Sequence, residues 1–325
     1  MSIALGLGGA AIGNLYRPVS DADAIATVDA ALGAGFAVID TAPYYGHGRS
    51  ERRIGTALAR WRGARPGISS KVGRVLDAAE AGEEGDFGFA DPLPYRPRFD
   101  YSRDGVRRSL EGSFERLGVE RLDIALVHDV GAATHGDAHS RVLRQVLDET
   151  LPELADAQAR GEVGAIGIGV NEGEVCFEIL ERAPLDVILL AGRYTVLEQP
   201  ALTSGLLDLC ATRGVRVMAA GVFNSGLLAT RPRPESTYNY APAPNLVLER
   251  ARQIWALCEQ FDAPPQAVAL QFAGAHPAVG HVIVGARARG EIEDAVRWST
   301  TRIPGELWAA LKRAGLIVSD APTPA

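Results

Sequence analysis

The chain has 325 residues, 47% of them hydrophobic and 22% charged, with 33 Lys and Arg against 40 Asp and Glu. That composition supplies a sizeable core and excludes an intrinsically disordered chain. A formal net charge of −7 leaves no electrostatic footprint for nucleic acid or an anionic membrane surface, so neither is expected as a partner.

The opening stretch, Met1–Gly13, lacks the basic region of a secretory signal, and no apolar run approaches the ~20 residues needed to span a bilayer. Cys176, Cys210 and Cys258 share no metal-ligand spacing and sit in apolar, helix-like stretches. They read as buried thiols in a reducing compartment, with no metal site, and the expected location is the cytoplasm. The basic groups Arg49, Arg52, Arg53 and Arg60, Arg62, Arg65 read as a solvated surface.

Short apolar runs then alternate with longer amphipathic ones. Strands are expected at Ile3–Leu7, Ala37–Asp40, Gly67–Lys71, Asp123–His128, Gly164–Ile168, Asp186–Leu190, Val215–Ala219 and His281–Val284. Helices are expected near Asp21–Ala34, Ser50–Trp61, Ser102–Leu117, Val142–Arg160, Glu172–Ala183, Ala201–Arg213, Leu246–Phe261 and Arg289–Ser299. Alternation of this kind favours a parallel sheet with right-handed crossovers, and the number of repeats favours closure into an α/β (β/α)8 TIM barrel. No Pro/Ser-rich linker divides the chain, so residues 1–325 are expected to form one barrel domain whose tail, Asp320–Ala325, frays. Gly73–Tyr101, Val130–Ser140 and Asn224–Pro244 read as long irregular stretches. Each follows an expected strand, which in a barrel puts it at the C-terminal mouth where active sites are built.

Gly6-Leu7-Gly8-Gly9-Ala10-Ala11 fits the GxGxxG/A dinucleotide pattern. A Rossmann turn needs a helix at once and an acidic residue ~20 positions on. Here Asn14-Leu15-Tyr16-Arg17-Pro18 intervenes and the next strand ends only at Asp40. The motif reads instead as a glycine-rich strand exit, beside a cofactor or purely structural.

Asp40, Tyr45, Lys71 and His128 all stand at or just beyond expected strand ends, and a barrel gathers those ends around one mouth. A Lys closing an apolar strand is costly to bury unless paired, and Asp40 is the available partner. Free tyrosine, with a pKa near ~10, is a poor base at neutral pH, but a cationic neighbour stabilises the phenolate. Lys71 fits that role, Asp40 would hold the ammonium, and His128 would orient a substrate oxygen. Such a group suits carbonyl reduction or alcohol oxidation with a hydride carrier.

The run Val38-Ile39-Asp40-Thr41-Ala42-Pro43-Tyr44-Tyr45-Gly46 resembles the aldo-keto reductase signature, in which an Asp precedes the acid/base Tyr by five positions. Ile68-Ser69-Ser70-Lys71 resembles that superfamily's lysine strand, and Leu126-Val127-His128-Asp129 its histidine strand. Gly164–Asn171 resembles the segment that holds the nicotinamide carboxamide, and Val282–Arg287 the C-terminal cofactor segment. The resemblance runs from about residue 3 to about residue 300. It implies a barrel oxidoreductase with Tyr45 as acid/base, supported by Asp40, Lys71 and His128, and a nicotinamide cofactor.

The chain departs from the pattern in two places. Gly169-Val170-Asn171 replaces the usual Ser-Asn pair, so the resemblance assigns the carboxamide contact to Asn171. Where many members carry an aromatic that stacks on the nicotinamide, this chain has Ala220. Phe223 then lines the cofactor or packs the core, with Gly221 and Ser225 offering backbone to the pyrophosphate. At the last strand Gly285, Ala286, Arg287 and Glu291 align with the adenosine segment. Gly285 and Glu291 stand where NADP-dependent relatives often carry Lys and Arg, which implies NAD over NADP.

The opening fifty-odd residues are similar to a sugar-oxidising branch that holds D-threo-aldose (L-fucose) 1-dehydrogenases, with plant L-galactose dehydrogenase as a relative and pyridoxal 4-dehydrogenase equally close. The implied substrate is a small sugar lactol oxidised at C1, or pyridoxal hemiacetal. Tyr44, His47 and Asp129, beside the catalytic positions, are candidates for substrate hydroxyls or for structural support. A reading of another class is a non-catalytic nicotinamide-binding sensor subunit.

Overall fold

A computed structural model describes residues 3–80, 85, 88–239 and 241–324. Met1, Ser2, parts of the expected 73–101 and 224–244 loops (81–84, 86–87 and 240) and Ala325 lie outside the described residues.

Eight parallel strands form the barrel: β1 (Leu5–Gly8), β2 (Val38–Asp40), β3 (Gly67–Val72), β4 (Leu122–His128), β5 (Val163–Val170), β6 (Val187–Ala191), β7 (Arg216–Ala220) and β8 (Val279–Gly285). Their order, β1-β8-β7-β6-β5-β4-β3-β2, closes on itself. The (β/α)8 expectation therefore holds, with boundaries displaced by a residue or two. By packing, Leu5–Leu189 with Gly285–Glu293 makes one compact unit, and Leu190–Val284 with the segment from Asp294 makes another.

The first unit holds β1 to β5. Their registers pair Gly8 with Asp40, Asp40 with Ser69, Lys71 with Leu126 and His128 with Gly169. Side chains alternate across a strand, so residues in register, or two apart, share a face. Asp40, Ser69, Lys71, Leu126, His128 and Gly169 consequently line one side of the sheet at its C-terminal end. The intervening Ser70 points to the opposite side, toward the helices. There its hydroxyl donates to Glu51 Oε1 at 2.7 Å, and Arg116 Nε donates to Glu51 Oε2 at 2.6 Å.

Three helices cover this unit's early strands: α1 (Asp21–Gly33), α2 (Arg49–Arg60) and α3 (Arg103–Leu117). Ser20 caps α1 and Ser102 caps α3, each accepting from the backbone N–H three residues on. Arg53, expected on the surface, is 5% exposed. Its guanidinium donates to Ile12 O, Asn14 Oδ1, Val19 O and Asp21, and so ties α2 to the chain after β1. A charged group is buried here because nearly every donor it has is used. Arg52, Arg60, Arg62 and Arg65 are exposed as expected.

The segment read as wholly irregular after β3 contains an antiparallel hairpin, Arg74–Ala78 paired with Tyr95–Phe99. Val130–Ser140 contains the helical turn Ala132–His135, and Thr237–Tyr238 pairs with Ala241–Pro242. The expected helix Val142–Arg160 starts earlier, at His139, and carries a π-turn at Val146–Thr150.

In the second unit two helices were missed, Pro265–Ala273 and Gly305–Arg313. The first is buried all round, Ala267 to Ala273 without a break, so it has no polar face to set a period. In the expected tail, Ala321 is 1% exposed. All three cysteines are buried and none forms a disulfide. Burial pushes the Cys210 thiol up to about 11 and Cys258 to about 12. No helix among the described residues is long and apolar enough to cross a membrane, and no His/Cys/Asp/Glu cluster among them could hold a metal.

Candidate active site

Asp40 and His128 end their strands and Lys71 is the penultimate residue of β3, three neighbouring strands of the first unit, and Tyr45 sits on the turn that follows β2. The Lys71 ammonium donates to Asp40 Oδ2 at 2.7 Å and to the Thr41 carbonyl at 2.8 Å, and it also bonds the Tyr45 side chain. Its nitrogen lies 4.7 Å from the centre of the Tyr45 ring. Asp40 Oδ1 accepts from Ser69 Oγ at 2.8 Å. Burial works against the Lys71 charge, but Asp40 and Tyr45 more than offset it, and the ammonium is held above its ordinary pKa. Gly169 gives it room: a Cβ there would come within 3.1 Å of Lys71 Cε. The glycine that departs from the family's Ser-Asn pair thus accommodates the buried lysine.

The Tyr45 turn is set by glycines. Gly46, His47 and Gly48 follow it with φ of 62°, 54° and 93°, a left-handed run that reverses the chain into α2. A Cβ on Gly46 would lie 2.3 Å from the Gly13 carbonyl oxygen, and one on Gly13 would lie 2.9 Å from the Tyr45 carbonyl carbon. Ser50 Oγ donates to Gly9 O at 2.8 Å and accepts from Thr41 Oγ1 at 2.8 Å. The glycine-rich stretch after β1 is therefore a close-packed bed for the Tyr45 turn. Only a single 3-10 turn, Ala11–Gly13, follows β1 before α1 begins at Asp21, whereas a Rossmann turn opens directly into an α-helix.

His128 is 6% exposed, and its ring meets those of Tyr45 and Tyr44 edge-on, with centroids 5.9 and 6.0 Å apart. Burial pushes its pKa down to about 3; Asp129 opposes this, while Arg74 and Lys71 add to it. The imidazole is neutral at physiological pH, a hydrogen-bonding group and not a charge.

Tyr44, His47 and Asp129 were candidates for substrate hydroxyls or for structural support. Tyr44 is half-buried against Arg74, Phe89 and His128. His47 is fully buried and presents no surface to a substrate. It lies on the left-handed run that follows Tyr45. The Asp129 carboxylate is engaged by Arg74 at 2.6 Å, with side-chain exposures of 15% and 14%.

Sequence reading missed Arg74, Phe89, Tyr101 and His135. Arg74 is clamped between the Tyr44 ring, 3.9 Å from its guanidinium carbon, and the Phe99 ring at 4.4 Å. Phe89 is 3% exposed and packs on both Tyr44 and Tyr45. The alternation in Arg-Val-Leu-Asp-Ala and Tyr-Arg-Pro-Arg-Phe was the available signal for the hairpin that positions Arg74 and Phe99.

Of the residues expected to touch a cofactor, Asn171 is exposed just after β5, and Gly285 is exposed at the end of β8. Ala286 is buried, and Glu291 Oε2 accepts from the Arg287 backbone N–H at 2.7 Å. Arg287 Nη2 reaches Leu15 O at 3.4 Å, while its buried Nε has no partner among the described residues. Arg289 pairs with Glu293 at 2.7 Å. In the second unit Gly221 and Ser225 are exposed and left-handed, and Phe223 is half-buried, edge-on to Trp298 at 5.9 Å. Asn224 Oδ1 beside them is buried without a partner among the described residues. Each segment, taken by itself, presents an exposed glycine (Gly285, Gly221) and a buried polar atom without a partner among the described residues (Arg287 Nε, Asn224 Oδ1).

The chain is 39% identical over 327 residues to pyridoxal 4-dehydrogenase of Microbacterium luteolum, covering 97% of this chain and 94% of that one. It is 38% identical to D-threo-aldose 1-dehydrogenase of a Pseudomonas species (99% and 95% covered) and 29% identical to L-galactose dehydrogenase of Arabidopsis thaliana (90% and 83%). The structure of a glycerol dehydrogenase from Gluconobacter oxydans superposes with a TM-score of 0.75 at 23% identity, covering 99% of this chain and 95% of that one. The model of the Aldo/keto reductase family matches residues 4–315. An oxidoreductase by its relatives and a (β/α)8 barrel by its strands, this chain belongs to the aldo/keto reductase family.

Proposed function

We propose that this enzyme oxidises the C1 hydroxyl of an aldose lactol, of the L-fucose, D-threo-aldose or L-galactose type, to the lactone, with NAD as hydride acceptor and Tyr45 as the general base. The observation that carries the reading is the Lys71 ammonium, buried, bonded to Asp40 and held against Tyr45. A fixed cation there favours the phenolate, which is the form that accepts the hydroxyl proton. Neutral His128 holds the same substrate oxygen by hydrogen bonding. Asp40 and Ser69 keep the ammonium from turning away. When bound, the oxidised nicotinamide supplies the acceptor for the C1 hydride.

Asn171, Gly285, Ala286, Arg287 and Glu291 are assigned to the cofactor on the resemblance, as are Gly221, Phe223 and Ser225. NAD is favoured because Glu291 holds a carboxylate at the start of the Arg289–Thr300 helix. Arg289 is already paired with Glu293. A carboxylate repels a 2′-phosphate and accepts a bond from a 2′-hydroxyl.

Pyridoxal, oxidised as its hemiacetal to the lactone, is a second reading. It is favoured by the 39% identity to a pyridoxal 4-dehydrogenase and by the aromatic wall of Tyr44 and Phe89 beside Tyr45.

The test is a panel of L-fucose, L-galactose, D-arabinose, L-glucose and pyridoxal with NAD and with NADP, followed by absorbance of the reduced cofactor. The proposal expects a sugar to give the highest kcat/KM. Pyridoxal as best substrate selects the second reading, and no turnover on any member overturns both.

A further inference from the structure

We infer that Arg74 and Asp129 form a specificity element that reads the two ring hydroxyls next to the reacting carbon of a sugar, those on C2 and C3, with Asp129 Oδ1 as acceptor and the Arg74 guanidinium as donor. The inference rests on the aldose reading above and names the residues that make the choice of sugar.

Other buried carboxylates of this unit use both oxygens. Asp40 accepts from Ser69 on Oδ1 and from Lys71 on Oδ2. Glu51 accepts from Ser70 on one oxygen and Arg116 on the other. Glu153, fully buried, takes Arg107 and Arg160 on Oε1 and Arg103 and Arg107 on Oε2. Asp129 differs. Its Oδ2 accepts from Arg74 Nη2 at 2.6 Å, and its Oδ1 has no donor among the described residues. His128 Nε2, 3.5 Å from Oδ2, is too distant to supply one. An ionised carboxylate has room for about four hydrogen bonds, so a side chain only 15% exposed that receives one is short of donors. Burial raises the Asp129 carboxyl, but His128, Arg74 and Lys71 outweigh it and hold the group below its ordinary pKa. It is therefore an acceptor at neutral pH.

Arg74 shows the same deficit from the donor side. Arg53, the buried arginine that ties α2 to the chain after β1, donates through Nε, Nη1 and Nη2. Arg74 donates through Nη2 alone among the described residues, and its buried Nε has no partner there. Both groups are nevertheless fixed. The Arg74 guanidinium carbon lies 3.9 Å from the Tyr44 ring and 4.4 Å from the Phe99 ring. Asp129 sits at a left-handed φ of 49°, with its N–H donating to Gly169 O at 3.0 Å and its carbonyl accepting from Tyr101 Oη at 3.1 Å. Two fixed groups with unused hydrogen-bonding capacity are preorganised for a ligand. Each hydroxyl of a vicinal diol both donates and accepts, so a diol can serve carboxylate and guanidinium together. The paired charges offset one another, so an anion gains little at this point.

The pair borders the reaction centre. The Tyr44 ring that carries Arg74 meets the His128 ring at 6.0 Å, and the His128 ring meets Tyr45 at 5.9 Å. A sugar with its C1 oxygen at Tyr45 thus turns its next two hydroxyls toward Arg74 and Asp129.

The experiment measures kcat and KM for the best sugar of the panel and for its 2-deoxy and 3-deoxy analogues, in wild type, Asp129→Asn and Arg74→Lys. Wild type should lose roughly 10–100-fold in kcat/KM for each missing hydroxyl, the scale of a hydrogen bond to a charged group, mostly as raised KM. Each variant should lose a similar factor on the parent sugar. The penalty for at least one missing hydroxyl should then shrink to a few-fold, because variant and analogue remove the same contact. A wild type that turns over either analogue as well as the parent sugar overturns the inference, even if neither variant folds. So do variants whose losses are equal on parent and deoxy sugars, the pattern of a purely structural pair. Both results leave the aldose reading intact. No turnover on any sugar defeats that reading and this inference with it.

Discussion

The Lys71 ammonium and the Asp40 carboxylate meet at 2.7 Å with 1% and 4% of their side chains exposed. A pair so buried adds little net stability over an apolar substitute, but breaking it leaves a charge stranded, at a cost of about 3–5 kcal/mol. Lys71→Met should therefore lower the denaturation midpoint in urea by a corresponding amount. It should also change the rate profile. In the proposed mechanism oxidation needs the Tyr45 phenolate, and the phenolate is harder to form once its cationic neighbour is gone. The rising limb of kcat against pH should move to higher pH, and an unchanged profile would dissociate Lys71 from Tyr45.

His128 bears on acid stability. Its pKa is about 3 in the folded chain, against about 6.5 when unfolded. Between those values the unfolded chain binds a proton that the folded chain refuses, so stability rises with pH across that window and is lost on acidification. The contribution is at most about 1.4 kcal/mol per pH unit for one group. His128→Asn should flatten the fall in stability from neutrality to pH ~4, as read from urea midpoints. A parallel fall in wild type and variant would show that His128 already titrates normally.

Gly46 has no room for a side chain. Its left-handed φ of 62° and the Gly13 carbonyl 2.3 Å from a built Cβ leave Ala only by moving the Tyr45 turn. Gly46→Ala should cost about 1–3 kcal/mol in stability, the usual range for a strained backbone position. It should also lower kcat more than it raises KM, because the displaced group is the proposed general base. Wild-type kinetics in this variant would mean that the turn tolerates displacement.

The barrel and the four central side chains were legible because their signals are local. Asp40, Lys71 and His128 each close an apolar run of strand length, and Tyr45 lies in the turn after one of them. The hairpin that carries Arg74 and Phe99 was hidden by the Gly, Pro and acidic residues between its strands. His47 illustrates a different limit. Its neighbours on the sequence, Tyr44 and Tyr45, are half-buried, yet a left-handed backbone turns His47 into the interior. Arg53 and Arg74 look like surface cations in the sequence. Their acceptors, Val19 O, Asp21 and Asp129 among them, come from distant parts of the chain, so burial could not be read from local pattern.

In the proposed reading, cofactor choice turns on Glu291. Its carboxylate caps the Arg287 N–H and carries negative charge at the start of the Arg289–Thr300 helix. Wild type should prefer NAD in kcat/KM, and Glu291→Arg should shift the ratio toward NADP by roughly tenfold or more, equivalent to about 1.4 kcal/mol from one charge-assisted contact. A wild type that prefers NADP, or a ratio that does not move, would place the adenosine recognition on other residues.

The central claim is that Tyr45 moves the proton while other groups bind the cofactor. Tyr45→Phe removes one oxygen from a half-buried ring and leaves Lys71 bonded to Asp40 and Thr41 O. Turnover on the best substrate of the panel and the Kd of the nicotinamide cofactor should be measured side by side in wild type and variant. The account predicts a loss of about 10²–10⁴-fold in kcat with cofactor Kd within a few-fold of wild type. A variant that turns over within a few-fold of wild type would contradict it and remove Tyr45 from the chemistry.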